Sequence, residues 1–317
     1  MKIYKTFNNF MDTLYKKNSF IQSIGLNNPY YSEKIINNLY YNYTHKVTNT
    51  NSSYIVRPLT VENNKARFMK YLMNEHIPFQ SDIYVDDCCF DFFILNSEFI
   101  IQLVNSHKPI DVSHYNSVAT KHNLQCYFIF DFDRYETFVK SLISRYTIPI
   151  SDVVITQIDY DTATKFYNRY SLYYTDLKYA INIGLVKNNK VVSCISFKIV
   201  DAAINNWQIV SICSKFHYDV VSGYSKILEY FRSHFDPSMI VATVDLSKSN
   251  GLMFSSLGFK LDKHIKEERI YTQYKSGLSE SLIKFILNIA ENEISDMMQS
   301  LNYNVVTNCG YDAYILQ

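Results

Sequence analysis

The chain has 317 residues, with 47% hydrophobic and 19% charged residues and a formal net charge of +1. That length leaves room for two cores, and the composition excludes a disordered chain. Near-neutral charge excludes a uniformly basic nucleic-acid coat, although a local basic groove stays open.

In chain order, residues 1–45 read as helical: Phe7, Phe10, Met11 and Leu14 form one stripe, and Tyr31, Ile35, Ile36, Leu39 and Tyr40 a second. The Thr/Asn/Ser-rich segment 44–54 reads as a linker. A helix carrying Phe68, Tyr71 and Leu72 should stop near Ile77-Pro78. The run "IYVDDCCFDFFIL" reads as a strand, followed by a turn at Asn96-Ser97 and the strand "EFIIQLV". A polar helix over His114–Asn123, a buried strand over 124–132 and a helix over Tyr135–Arg145 complete an α/β unit.

A second unit starts near "IPISDVVITQID". Its predicted order is a strand (152–158), a helix (Tyr160–Tyr170), a strand pair turning at Asn188-Asn189 and a strand "WQIVSICSKF". A glycine-containing turn "VVSGYSK", a helix over Ser225–His234 and a strand "MIVATVDL" follow. A short helix after Ser249-Asn250-Gly251, a long helix over 278–300 and a two-stranded tail end the chain. The fold class is α/β (α+β), in three parts: 1–60 helical segment and linker, 61–149, and 150–317. The six cysteines show no C-x-x-C spacing and no histidines stand as H-x-x-x-H, so a zinc site is not expected. They read as small buried residues in a reducing compartment. Asp86-Asp87 reads as a solvated turn. The start "MKIYKTFNNF" is polar, and no apolar run approaches the ~20 residues that span a bilayer, so no membrane partner is expected.

Three stretches, "SICSKFHYDVVSGYSKILEYF", "SNGLMFSSLGF" and "LNYNVVTNCGYDAY", carry a resemblance. With the nuclease-like block before them, residues 65–317 resemble the phage-encoded homing-endonuclease-like proteins. These join a very-short-patch-repair-type domain of the PD-(D/E)xK superfamily to a C-terminal acetyltransferase-like (GNAT-like) domain. The resemblance implies a protein of the cytoplasm of an infected bacterial host.

Carried over by motif, the first catalytic aspartate falls on Asp91, also the one candidate metal ligand. The second-strand glutamate falls on Gln102 and the following glycine on Asn105. The next histidine falls on His107, the "H-x-N-K" helix on His114, Asn116 and Ser117, and the last acid on Asp133. Hydrolysis in such a site needs a divalent metal held by converging carboxylates. Gln102 offers a neutral amide, and Ser117 stands where a lysine would stabilise developing charge. Losing both costs a rate factor of ~10³ or more. The resemblance therefore implies a vestigial nuclease, with no cofactor, or magnesium if cleavage survives. Lys108, Lys121, Arg134 and Lys140, with Lys65, Arg67, Lys70 and Arg145, are the candidate phosphate contacts.

An acetyltransferase of this type cradles a pyrophosphate on a Q/R-x-x-G-x-G/A turn. Here Asp219, Ser222 and Tyr224 occupy three of its positions, and acetyl-coenzyme A is not expected as a partner. The expected function is that of a DNA-binding protein derived from a homing endonuclease, with double-stranded DNA as partner. One alternative is a non-catalytic subunit or regulator of a phage transcription or anti-defence complex, with a phage or host protein as partner. The other is an active magnesium-dependent endonuclease.

Overall fold

A computed structural model describes residues 61–95, 99–105, 110–131, 133–142, 146–172, 177–273, 276–287, 289–301 and 303–317. The expected N-terminal helices and linker, the Asn96-Ser97 turn, His107, Lys108 and Arg145 lie outside the described residues.

Helix α1 (Val61–Asn74) opens the described chain and buries Phe68 and Leu72, one turn apart, on one stripe. It ends where His76 takes a left-handed φ of 56°, just before Pro78. Strands β1 (Phe79–Val85), β2 (Cys88–Ile94), β3 (Phe99–Val104) and β4 (Gln125–Phe130) form one sheet in the order β1-β2-β3-β4. Only β3–β4 is parallel, and its crossover is helix α2 (Val112–Lys121), capped by Asp111. Helix α3 (Tyr135–Leu142) follows. Val112, Val118 and Ala119 of α2 cover one face, against Phe90, Ile100 and Phe128. Phe68, Leu72 and Phe138 of α1 and α3 cover the other, against Phe92 and Ile101.

One expected strand is corrected. "IYVDDCCFDFFIL" is a hairpin, because Asp86 adopts φ 49° and the chain reverses at Asp86-Asp87. The expected pairing of the next two strands is present as β2–β3.

After β5 (Tyr146–Ile148) come β6 (Val154–Ile158), α4 (Tyr160–Tyr170), β7 (Ile181–Lys187), β8 (Lys190–Asp201) and β9 (Asn206–Ser214). Then come β10 (Tyr218–Val220), α5 (Gly223–Phe235), β11 (Met239–Asp245), α6 (Leu252–Ser256) and β12 (Lys260–Ile265). Asn188 and Asn189, at φ 50° and 59°, close the β7–β8 hairpin at the expected place. Strands β13 (Arg269–Gln273) and β14 (Ser276–Ser279), helices α7 (Glu280–Leu287) and α8 (Glu291–Ser300), and strands β15 (Asn304–Thr307) and β16 (Tyr311–Leu316) end the chain. The expected single helix over 278–300 is therefore a strand end and two helices. The Ser279 hydroxyl accepts from the Leu282 N–H at the start of α7, and Ala290, with extended backbone, starts α8 afresh.

The second sheet has seven strands in the order β12-β16-β11-β9-β8-β7-β6. Every neighbouring pair is antiparallel except β9–β11. Helix α4 packs Phe166 and Tyr167 on one face, and α5 and α6 pack Ile227, Phe231 and Phe254 on the other. This order, with one internal parallel pair, is the GNAT-like arrangement expected for the C-terminal part. The third sheet, β14-β13-β15, sits in the connection between β12 and β16. Its Ile270 and Val306 complete the core on the α2 face of the first sheet. No helix among the described residues is long and apolar enough to cross a membrane.

Candidate functional site

Strand register puts Asp91 between two polar neighbours. The pairs Ser81↔Phe92 and Ile83↔Phe90 leave Asp82 of β1 opposite it, and Phe92↔Ile101 leaves Gln102 of β3 opposite it on the other side. Two carboxylates facing each other across a ladder repel. Asp82 also takes a left-handed φ of 56°, uncommon for a non-glycine residue. The repulsion is offset by Lys65 of α1, whose Nζ lies 2.6 Å from Asp82 Oδ1 and 3.0 Å from Asp91 Oδ1. Burial is the largest single influence on the Lys65 ammonium and lowers its pKa. The hydrogen bonds and charges of Asp82 and Asp91 together carry it above its ordinary value. The same hydrogen bond holds the Asp82 carboxyl below the usual carboxylate range.

Gln102 closes the other side. Its Nε2 donates to Asp91 Oδ2 at 2.7 Å, its Oε1 accepts from the Asp91 N–H at 3.2 Å, and the Leu103 N–H donates to Asp91 Oδ2 at 2.9 Å. Both oxygens of Asp91 are thus engaged by donors. A hard divalent cation needs about six oxygen ligands, commonly including more than one charged carboxylate. Here an amide N–H points at the carboxylate and an ammonium lies between the two aspartates. These residues do not fit a magnesium ion.

Two other residues that the resemblance assigns to this site, His114 and Asp133, have different partners. His114, third residue of α2, has Nε2 2.9 Å from Asp87 Oδ2, at the hairpin turn four residues before Asp91, roughly 13 Å along an extended strand. Asn116 is half-buried on the same helix and Ser117 is exposed. Asp133 lies beyond the end of β4 and makes a buried ion pair with Lys248, from the loop after β11. Burial raises the Asp133 carboxyl above its ordinary range, against the pull of the Lys248 ammonium. Lys248 also donates to the Phe128 carbonyl and lies over the rings of Phe130 and Phe138. The Phe128 N–H donates to the Ser247 carbonyl at 2.9 Å, so this loop also covers the free edge of β4.

Most of the expected phosphate contacts have other partners. Lys121 Nζ lies 2.7 Å from Asp86, and Lys140 Nζ 3.6 Å from Glu75. Arg134 donates to the carbonyls of Asn168 and Ser171 at the C-terminal end of α4, where a cation suits the helix dipole. Arg67 and Lys70, exposed one turn apart on α1, have no ion-pair partner among the described residues.

The glycine-containing turn of the second sheet is tightly built. A Cβ on Gly223 would stand 2.7 Å from Leu185 Cδ1 and 2.9 Å from Val220 Cβ, so glycine is required where α5 meets the sheet. The Tyr224 ring packs against the core, and its hydroxyl lies 2.7 Å from Ser214 Oγ at the end of β9. Strand β10 is paired in parallel with β5, and the Val221 N–H donates to the Ile148 carbonyl. Strands β9 and β11 pair only from Met239 to Val241. No ladder pair joins the C-terminal halves of these two parallel strands.

The sequence matches no protein-family model and no curated protein. Solved structures similar in fold include the ribosomal-protein-S18-alanine N-acetyltransferase of Escherichia coli, at 12% identity and a TM-score of 0.34, over 52% of this chain and 92% of that one. A GNAT family acetyltransferase from Elizabethkingia anophelis with acetyl-CoA bound matches at 11% identity and 0.32, over 52% of this chain and 98% of that one. A Bacillus subtilis acetyltransferase in complex with CoA matches at 11% and 0.31, over the same shares. The likeness is one of fold, over the C-terminal part. Because two of these structures hold the coenzyme, the expectation that acetyl-coenzyme A is no partner is overturned.

Proposed function

We propose that the chain is a DNA-binding protein that does not cut, descended from a homing endonuclease. The observation that carries this reading is the closed Asp91 site, in which Gln102 and Lys65 take the places that a second carboxylate and a metal would need. Losing the metal leaves the frame of the fold intact, because Asp91 stays hydrogen-bonded within the sheet. The phosphate contacts are assigned to the exposed face of α1, at Arg67 and Lys70, since Lys121, Arg134 and Lys140 are engaged elsewhere.

Two measurements test this. The protein is expected to leave supercoiled plasmid intact with magnesium or manganese; cleavage lost in Asp91→Ala overturns the reading. Duplex DNA is expected to bind at ~50 mM salt, where phosphate contacts are strongest, and to lose affinity steeply as salt rises. Arg67→Ala with Lys70→Ala should shallow the logarithmic salt slope by roughly two units. Absence of binding at low salt would make the protein-partner role the better one.

A second reading concerns the seven-stranded sheet and rests on the parting of β9 and β11. Ligands of open sheets favour the crevice beyond the carboxyl ends of neighbouring parallel strands. With β10 committed to β5, the first-turn N–H groups of α5 would meet a phosphate. Calorimetry with coenzyme A and acetyl-coenzyme A decides this: heat saturating at one equivalent is expected, and none at all removes the reading.

A further inference from the structure

The Asp87–His114 contact has a third member. Asp87 Oδ2 and His114 Nε2 are 2.9 Å apart, and Cys88 Sγ lies 3.9 Å from Asp87 Oδ1. One ligand atom from each of the three residues lies within 4.8 Å of the other two. Tetrahedral zinc, with bonds of roughly 2.0–2.3 Å, places its ligand atoms about 3.3–3.8 Å apart. The spacing already present is close to that, and needs only side-chain rotation to meet it. The three residues supply one oxygen, one thiolate and one imidazole, a set that suits a borderline cation and not magnesium.

The frame around them is set independently. Cys88 begins β2, paired with Val85 across the hairpin, and its side chain is buried beneath the turn. His114 is held in the first turn of α2, where its backbone N–H donates to the Asp111 cap at 3.0 Å. The side chains of His114 and Asp87 are 47% and 71% exposed, so an ion enters from solvent and keeps one coordination position towards it.

We infer that Asp87, Cys88 and His114 form a zinc site that pins the β1–β2 hairpin to the first turn of α2, with water as the fourth ligand. On binding, the Cys88 thiol gives up its proton to solvent and the His114 proton resides on Nδ1, leaving Nε2 for the metal. The site is separate from the Asp91 pocket and does not depend on the DNA-binding reading.

Cobalt titration of the full chain tests it. One equivalent of Co²⁺ should produce the near-ultraviolet thiolate-to-cobalt charge-transfer band, and one equivalent of Zn²⁺ should abolish it. Cys88→Ser should eliminate the band. Because Cys88 is buried and its replacement can impair folding, His114→Gln and Asp87→Asn, both at exposed positions, serve as second variants. Each should weaken zinc binding at least about tenfold. Cys89→Ser, at the neighbouring position on the strand, should leave band and affinity unchanged. No band in the wild type, or a band and affinity that persist in His114→Gln, would overturn the assignment.

Discussion

The resemblance assigns Asp91 and Asp133 to one catalytic centre, whereas in the fold each meets a different lysine. Asp91 meets Lys65 from the helix just before it, near the surface, with the two side chains 18% and 24% exposed. Asp133 meets Lys248, 115 residues away, with both side chains at or below 5%. The first pair neutralises two facing carboxylates on a half-exposed ladder. The second ties the end of β4 to the loop after β11, where water cannot screen it. The same two residue types serve local charge balance in one place and the joining of two sheets in the other. What separates them is burial, which sets the cost of leaving one partner alone.

The largest expected effect is therefore at the buried pair. Lys248→Met leaves Asp133 and the Phe128 carbonyl without their donor, and should destabilise the chain by about 3–5 kcal/mol. Adding Asp133→Leu should restore much of that, because the uncompensated charge goes with its partner. Urea denaturation of the two variants measures both. A Lys248→Met midpoint equal to wild type would mean that this pair holds nothing together.

At the Asp91 pocket the effect is smaller. Lys65→Met should cost only about 1 kcal/mol, since that pair is partly solvated. Combined with Gln102→Glu, it adds a third carboxylate beside those of Asp82 and Asp91 and leaves the group without an ammonium. That double variant should gain thermal stability on adding magnesium or manganese, whereas the wild type should not shift. A magnesium or manganese shift in the wild type would mean that Lys65 does not close the Asp91 site to a metal.

The smallest effect is one of pH. The hydrogen bond from Lys65 lowers the Asp82 carboxyl, so the folded state binds that proton less tightly than the unfolded chain. Its contribution is present above the unfolded value of roughly 3.9, and is lost as pH falls through the lower folded value. Asp82→Asn should therefore show a shallower loss of denaturation midpoint between about pH 5 and pH 3. Equal slopes in both proteins would remove Asp82 from the balance.

Much of the architecture was legible from local pattern. Asn188-Asn189 marked a hairpin because two left-handed residues close a two-residue loop, and Phe68 with Leu72 marked the buried stripe of α1. The solvated turn at Asp86-Asp87 is present, but the apolar residues on both sides of it hid that it splits one expected strand into a hairpin. The strand insert at 266–310 was hidden for another reason: Ile270 and Val306 find their core on a sheet laid down well over a hundred residues earlier.

From sequence alone comes the chemistry each side chain can offer, because identity limits it: Gln102 has no charge to give a metal at any position. Sequence also fixes those elements that hydrophobic period and turn residues mark locally, such as the helix bearing Phe68 and Leu72 and the hairpin at Asn188-Asn189. Which side chains become partners depends on the folded arrangement. Lys65 with Asp82 and Asp91, Lys248 with Asp133, and Asp87 and Cys88 with His114 are contacts across 17 to 115 residues, set by strand register and helix placement. Electrostatic and ligand interactions fall off within a few ångströms, so such pairings exist only once the sheets have brought the side chains together.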